Sequence, residues 1–99
     1  MTAIRIADKA KEDLRSIWNY THDTWSEKQA DKYLKELMNE FSTIVKYPQR
    51  GRNYHEISSE YFGIKKNKHI RFYRISQVGD VEIIRILHEL MDLPNRMKE

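Results

Sequence analysis

The sequence predicts an α+β fold: an N-terminal strand, an antiparallel helix hairpin, then a three-stranded antiparallel meander and a short C-terminal segment. Three observations predict it. Ile4 and Ile6 alternate with Arg5 and Ala7; apolar residues then recur at spacings of three and four as far as Val45; and strand-length apolar runs separated by short polar breaks fill Tyr61 to His88. At 99 residues the chain suits one core and is read as a single domain over 1–99.

The alternation from Ala3 to Ala7 marks a strand with one buried face. Asp8 ends it and is read as a helix N-cap, because Ala10, Leu14, Ile17, Trp18 and Thr21 behind it share one helical face. This first helix runs to about Asp23, and Trp25 closes the turn. Ser26 and Gln29 have the spacing of a capping box, which satisfies free backbone N–H groups at the start of a second helix. That helix carries Ala30, Tyr33, Leu34, Leu37, Met38, Phe41, Ile44 and Val45 on one stripe, with Lys32, Lys35, Glu36, Asn39 and Glu40 largely opposite. Pro48 lacks the amide needed to continue the ladder and restricts Tyr47, so the helix is expected to end near Lys46.

Gln49 to Ser59 has no period and is read as a surface loop carrying Arg50, Arg52 and His55. Strands are expected over Tyr61 to Lys66, His69 to Gln77 and Val81 to His88, joined by hairpin turns at Asn67-Lys68 and Val78-Gly79-Asp80. The last strand is apolar on both sides and should lie centrally, with Val81, Ile83 and Leu87 facing one way and Ile84 and Ile86 the other. Beyond it, Leu90, Met91, Leu93 and Met97 suit a short terminal turn or helix interrupted by Pro94.

Composition narrows the function. Without cysteine there are no disulfides, thiolate nucleophiles or Cys-ligated zinc, which suits a reducing cytoplasm. No secretory leader or membrane-length apolar run is present, so the chain is expected to be cytoplasmic. The four histidines lack metal-ligand spacing, the three glycines form no phosphate loop, and the serines lack a nucleophile motif; neither metal nor cofactor is expected. Charge is lopsided: Met1 to Val45 carries seven cations against eight acids, Lys46 to Glu99 eleven against seven. Tyr61 to Gly79 holds Lys65, Lys66, Lys68, Arg71 and Arg74 with no acid, which is either a surface for an acidic or phosphate-bearing target or a solvated basic turn.

Two readings of the remaining polar residues stay open. Arg71, Arg74 and Arg85 with His88 could cleave RNA, the arginines stabilising a phosphorane and the imidazole moving protons. Alternatively, Arg74 and Arg85 tie strands to Glu82, Glu89 or Asp92, and His88 is a partly buried hydrogen-bonding residue. Phe72 and Tyr73 are adjacent on a strand and must point to opposite faces, so at most one can stack on a base.

Several strings resemble the RelE/ParE toxin superfamily, and its ParE branch in particular, over almost the whole chain. They are Ile17-Trp18-Asn19-Tyr20-Thr21, Trp25, Gln29-Ala30-Asp31-Lys32-Tyr33, Pro48, Gly51-Arg52, Glu56-Ile57, Phe72-Tyr73-Arg74 and Ile84-Arg85-Ile86-Leu87-His88 with Met91-Asp92. The last is the most specific. Where relatives usually carry Gly-Tyr-Arg-Lys, this chain has Glu60-Tyr61-Phe62-Gly63, losing a basic position at Phe62 that Lys65, Lys66 and Lys68 are placed to replace. The resemblance implies a bacterial toxin that acts on DNA gyrase by binding, without catalysis or cofactor, and is neutralised in a hetero-oligomer by a ParD-like antitoxin; direct nucleic-acid contact would arise only in the target complex. The RelE branch implies the alternative, a ribosome-dependent messenger endoribonuclease using His88, Arg71, Arg74 and Arg85. Target contact is expected at Lys65, Lys66, Lys68, Arg71, Met91 and Arg96. Antitoxin contact is expected at Leu14, Trp18, Tyr33, Leu37, Leu93 and Met97, of which the first four are equally suited to the core.

Overall fold

The computed structural model describes residues 4–39 and 41–99. Ala3 in the first expected strand and Glu40 on the polar helix face lie outside the described residues. The elements run β1 (Ile4–Ile6), α1 (Asp8–Thr24), α2 (Glu27–Asn39), α3 (Phe41–Lys46), a 3-10 turn (Pro48–Arg50), β2 (Arg52–Asn53), β3 (Phe62–Lys66), β4 (His69–Ile75), β5 (Val81–His88) and α4 (Leu93–Met97). The strands form one sheet in the order β1-β5-β4-β3-β2. The meander β3-β4-β5 is antiparallel as expected, and β1 adds to it in parallel beside β5.

Local chemistry explains most boundaries. Asp8 is not a cap but the first helical residue: Ala7 occupies the cap position without a side-chain bond, and the Asp8 carboxylate sits in the first turn, where the helix dipole favours it. The Ser26 cap is present, with its hydroxyl oxygen accepting the Gln29 amide at 3.1 Å. Trp18 Nε1 donates to Asp31 Oδ1 at 2.9 Å, fastening α1 to α2. At the β3–β4 hairpin Asn67 takes φ 54°, and Gly79 takes φ 91° in the following turn, left-handed positions that suit Asn and Gly. The expected loop over Gln49 to Ser59 contains more order than its composition suggested, because Arg52 and Asn53 pair with Gly63 and Phe62.

The helices cover one face of the sheet. Ala10, Leu14, Leu37, Phe41 and Ile44 pack there on Tyr73, Val81, Ile83 and Ile86. The other face, Ile70, Phe72 and Leu87, is covered by Tyr54 and Ile57 from the loop and by Leu93 and Met97 from the C-terminal segment. This corrects the expected facing of β5. Tyr73 pairs with Ile83 and Phe72 with Arg85, so Ile84 is an extra residue. A bulge there reverses the alternation, which puts Ile86 with Val81 and Ile83 and sends Leu87 to the opposite face.

Two polar anchors hold this frame. The register of β1 with β5 ends at Ile6 and Ile83, so the edge of β5 beyond would lose its partner. Asp13 on α1 takes over: its Oδ2 accepts the Ile86 amide at 3.0 Å and Arg85 Nε at 2.7 Å, and its Oδ1 accepts Arg85 Nη2 at 2.9 Å. Arg85 Nη1 also donates to the Arg96 carbonyl at 2.6 Å. The second anchor is Tyr73, whose hydroxyl donates to the Pro48 carbonyl at 2.6 Å and accepts the Gly51 amide at 3.1 Å. A Cβ at Gly51 would collide with that hydroxyl.

Both anchors are testable by urea denaturation. Asp13→Ala strands a buried guanidinium and is expected to lower the unfolding free energy by about 3–5 kcal/mol. Asp13→Asn with Arg85→Met keeps an oxygen for the Ile86 amide and removes both charges, so it should cost less than Asp13→Ala alone. Tyr73→Phe, which leaves the ring in the core, is expected to cost about 1–3 kcal/mol.

Candidate functional site

Three strand ends and one helix converge at the tip of the sheet. The register places His69 opposite His88, and the Glu89 amide donates to the Lys68 carbonyl at 2.8 Å, joining the end of β5 to the β3–β4 turn. Tyr33 reaches over from α2, its hydroxyl 2.6 Å from His69 Nδ1. The two imidazoles meet edge to face with centroids 5.4 Å apart. The Leu90 amide donates to His88 Nδ1 at 3.1 Å. A backbone amide is always a donor, so His88 Nδ1 must accept and its proton resides on Nε2. Burial, aided by the adjacent His88, pushes the His69 pKa down to about 4 and keeps that ring neutral. Burial likewise raises the Tyr33 phenol.

The basic residues divide around this tip. Lys65, Lys66 and Lys68 lie on the β3–β4 hairpin, with Lys65 Nζ 2.7 Å from Glu89, whose carboxyl it holds below the usual range. Met91 is exposed on the segment after β5, and half-exposed Arg96 sits on α4 with Nη1 3.4 Å from Glu99. Arg71 does not belong with them. It is fully buried, donating through Nη1 to the Leu37 carbonyl at 3.3 Å and through Nε to the Ile64 carbonyl at 3.4 Å. Its expected role as a surface contact is therefore corrected: alternation on β4 turns it under α2 beside Tyr73.

The hairpin groove expected for a partner is also corrected in part. Leu14 and Leu37 are core residues, while Trp18 and Tyr33 are partly exposed and polar-bonded at their tips. Leu93 and Met97 pack against the second face of the sheet. The four residues of the ribonuclease reading do not all meet: Arg85 and His88 line one cleft, but Arg71 and Arg74 lie elsewhere. Arg74 is committed to Glu82 at 2.7 Å and lies five residues along β4 from His69, about 17 Å at strand rise. Arg85 is enclosed by Asp13, which raises its pKa further above the ordinary value, and Arg71 is under a helix.

Two clefts flank this architecture. One, of about 310 Å³, opens between α3 and β3 beside Thr43, Ile44, Tyr47, Arg50 and Ile64. The other, of about 150 Å³, lies between α1, β5 and α4 and is lined by Asp13, Ser16, His69, His88, Met91 and Arg96 among others. Sequence reasoning missed Asp13, Ser16 and His69. Asp13 carried no signal, since its partner is 72 residues away. His69 stood in the sequence only as one of four scattered histidines, and its partners Tyr33 and His88 lie far from it along the chain. Among the described residues no group of three or more His, Cys, Asp or Glu could hold a metal ion, and no helix is long and apolar enough to cross a membrane.

A strand, a helix hairpin and an antiparallel meander closed by a parallel first strand define the RelE/ParE toxin fold. A structure of the chromosomal ParDE toxin–antitoxin system from P. aeruginosa superimposes with a TM-score of 0.77 at 14% identity, over 89% of this chain and 96% of that one. A structure of the toxin–antitoxin complex RelBE2 from Mycobacterium tuberculosis gives a TM-score of 0.68 at 19% identity, over 88% and 96%. In sequence, Toxin ParE1 of Mycobacterium tuberculosis is 32% identical and Toxin ParE1 of Caulobacter vibrioides 34% identical, each over 92 residues, 93% of this chain and 94% of the relative. The model of the ParE toxin of the type II toxin–antitoxin system parDE matches residues 4–93. The chain belongs to the ParE toxin family.

His69 gives this tip a pH signature. An imidazole whose pKa is lower folded than unfolded binds its proton more readily in the unfolded chain. Its stabilising contribution is therefore complete above about pH 6.5 and falls as the pH drops toward about 4. The urea midpoint should decline between pH 6.5 and 5, above the range in which the carboxylates titrate. His69→Gln, which keeps an acceptor for Tyr33, should flatten that decline.

Proposed function

We propose that this toxin acts by binding DNA gyrase through the basic tip of the sheet, without chemistry of its own, and that a small ParD-like antitoxin neutralises it in a hetero-oligomer. The observation that carries the reading is the division of cations. Lys65, Lys66 and Lys68 stand on the β3–β4 hairpin at the tip, and Met91 and Arg96 on the segment after β5, whereas Arg71 and Arg85 are buried in the fold and Arg74 pairs across the sheet with Glu82. A basic surface of this kind favours an acidic or DNA-associated target through encounter rate as well as contact. Family membership supports a type II toxin, and the parDE name of the matching family supports a ParD-type partner.

A supercoiling assay with purified, antitoxin-free protein tests the proposal. Wild type should inhibit gyrase, Lys65→Ala/Lys66→Ala/Lys68→Ala should raise the half-inhibitory concentration at least tenfold, and Arg74→Ala should remain within about twofold. Unimpeded supercoiling, together with cleaved messages on induction that His88→Ala abolishes, would replace the proposal with the ribonuclease reading.

A further inference from the structure

The smaller cleft has a one-sided polarity. Asp13 on its wall is already satisfied by Arg85 and by the Ile86 amide, so its charge is offset and its oxygens are occupied. What remains is a set of donors. The Ser16 hydroxyl is exposed, the His88 Nε2 proton is fixed there by the Leu90 amide on the opposite nitrogen, and Arg96 makes one long contact to Glu99 at 3.4 Å that leaves most of its N–H groups available. Between these donors the wall is apolar, contributed by Ile17 and Met91.

We propose that this cleft is a carboxylate-binding subsite that takes one Asp or Glu side chain of the antitoxin, held by Ser16, His88 and Arg96, while an adjacent apolar side chain rests on Ile17 and Met91. The assignment rests on the reading of the chain as a neutralised toxin. The cleft, about 150 Å³, admits a carboxylate but not a nucleotide. Arginine and imidazole N–H groups suit a carboxylate well because charge-assisted hydrogen bonds are the stronger kind. Met91 and Arg96 then belong both to this subsite and to the target surface, so an antitoxin seated here excludes the target by occupying it.

The free toxin, isotope-labelled, is titrated at constant ionic strength with sodium acetate and, separately, with dimethyl phosphate, following the Ser16, His88 and Arg96 resonances. Acetate should produce saturable shifts, and Ser16→Ala/Arg96→Gln, both at exposed positions, should weaken binding at least fivefold with the thermal midpoint unchanged. Saturation by dimethyl phosphate but not acetate would overturn the proposal in favour of a nucleic-acid site. No saturation by either anion, or acetate binding untouched by the double substitution, would also overturn it. A ParD-like antitoxin, sought in the reading frame beside the toxin, is then scanned by Asp→Asn and Glu→Gln. One acid should lose at least tenfold affinity against wild type and little further against the double variant; an acetate site coupled to no antitoxin acid would refute the assignment to the antitoxin. Absence of any such partner would sink the toxin–antitoxin reading, and the acetate titration would still decide whether the subsite exists.

Discussion

The ion pair between Asp13 and Arg85 is the constraint on which the rest of the structure depends. A three-residue first strand cannot pair with the full length of β5, and an unpaired backbone edge next to the core is costly. Asp13 solves this from the second turn of α1 by accepting the Ile86 amide, and the same carboxylate neutralises a guanidinium that is almost wholly enclosed. Arg85 then passes the constraint on to the C-terminal segment through the Arg96 carbonyl. One carboxylate thus fixes the position of the helix hairpin, the end of the central strand and the segment that covers the second sheet face. The bulge at Ile84 belongs to the same arrangement, because it turns Arg85 onto the face where α4 lies while keeping Ile86 against the helices.

Several family strings turn out to be folding devices. The Pro48 and Gly51 positions are the two ends of a turn clasped by Tyr73, the middle residue of Phe72-Tyr73-Arg74. Arg74 completes its string by pairing across the sheet with Glu82, and Phe72 fills the opposite face. Trp18 and Asp31 connect the strings of the two helices, and Arg52 joins Glu56 at 2.9 Å while Ile57 packs beneath. In this chain such contacts commit the strings to the fold rather than to the tip of the sheet.

The element order was legible because periodicity and turn chemistry are local. The 3.6 period of the hairpin, the Ser26 cap and the turns at Asn67 and Gly79 needed no knowledge of the fold. What was not legible depends on distant partners. The facing of Leu87 was misassigned because a bulge is set by the neighbouring strand, and how β1 pairs could not be read at all because its pairing joins residues nearly eighty positions apart. At the site, strand order alone puts Lys65, Lys66 and Lys68 at the hairpin beside the end of the last strand. Arg71 could not be excluded from them, since a basic residue in a basic run carries no sign of being buried, and Asp13 gave no hint that a carboxylate on the first helix would occupy an arginine of the last strand.

The proposed target surface lies at one end of the sheet, where the lysines of the β3–β4 hairpin stand near the His69–His88 ring pair, while Arg71, Arg74 and Arg85 serve the fold. Hydrogen–deuterium exchange of the toxin bound to gyrase tests this most directly. Slowed exchange confined to the β3–β4 turn and to the backbone from His88 through Arg96 is the expected result. Protection centred on the helix hairpin, with the sheet tip unchanged, would contradict it.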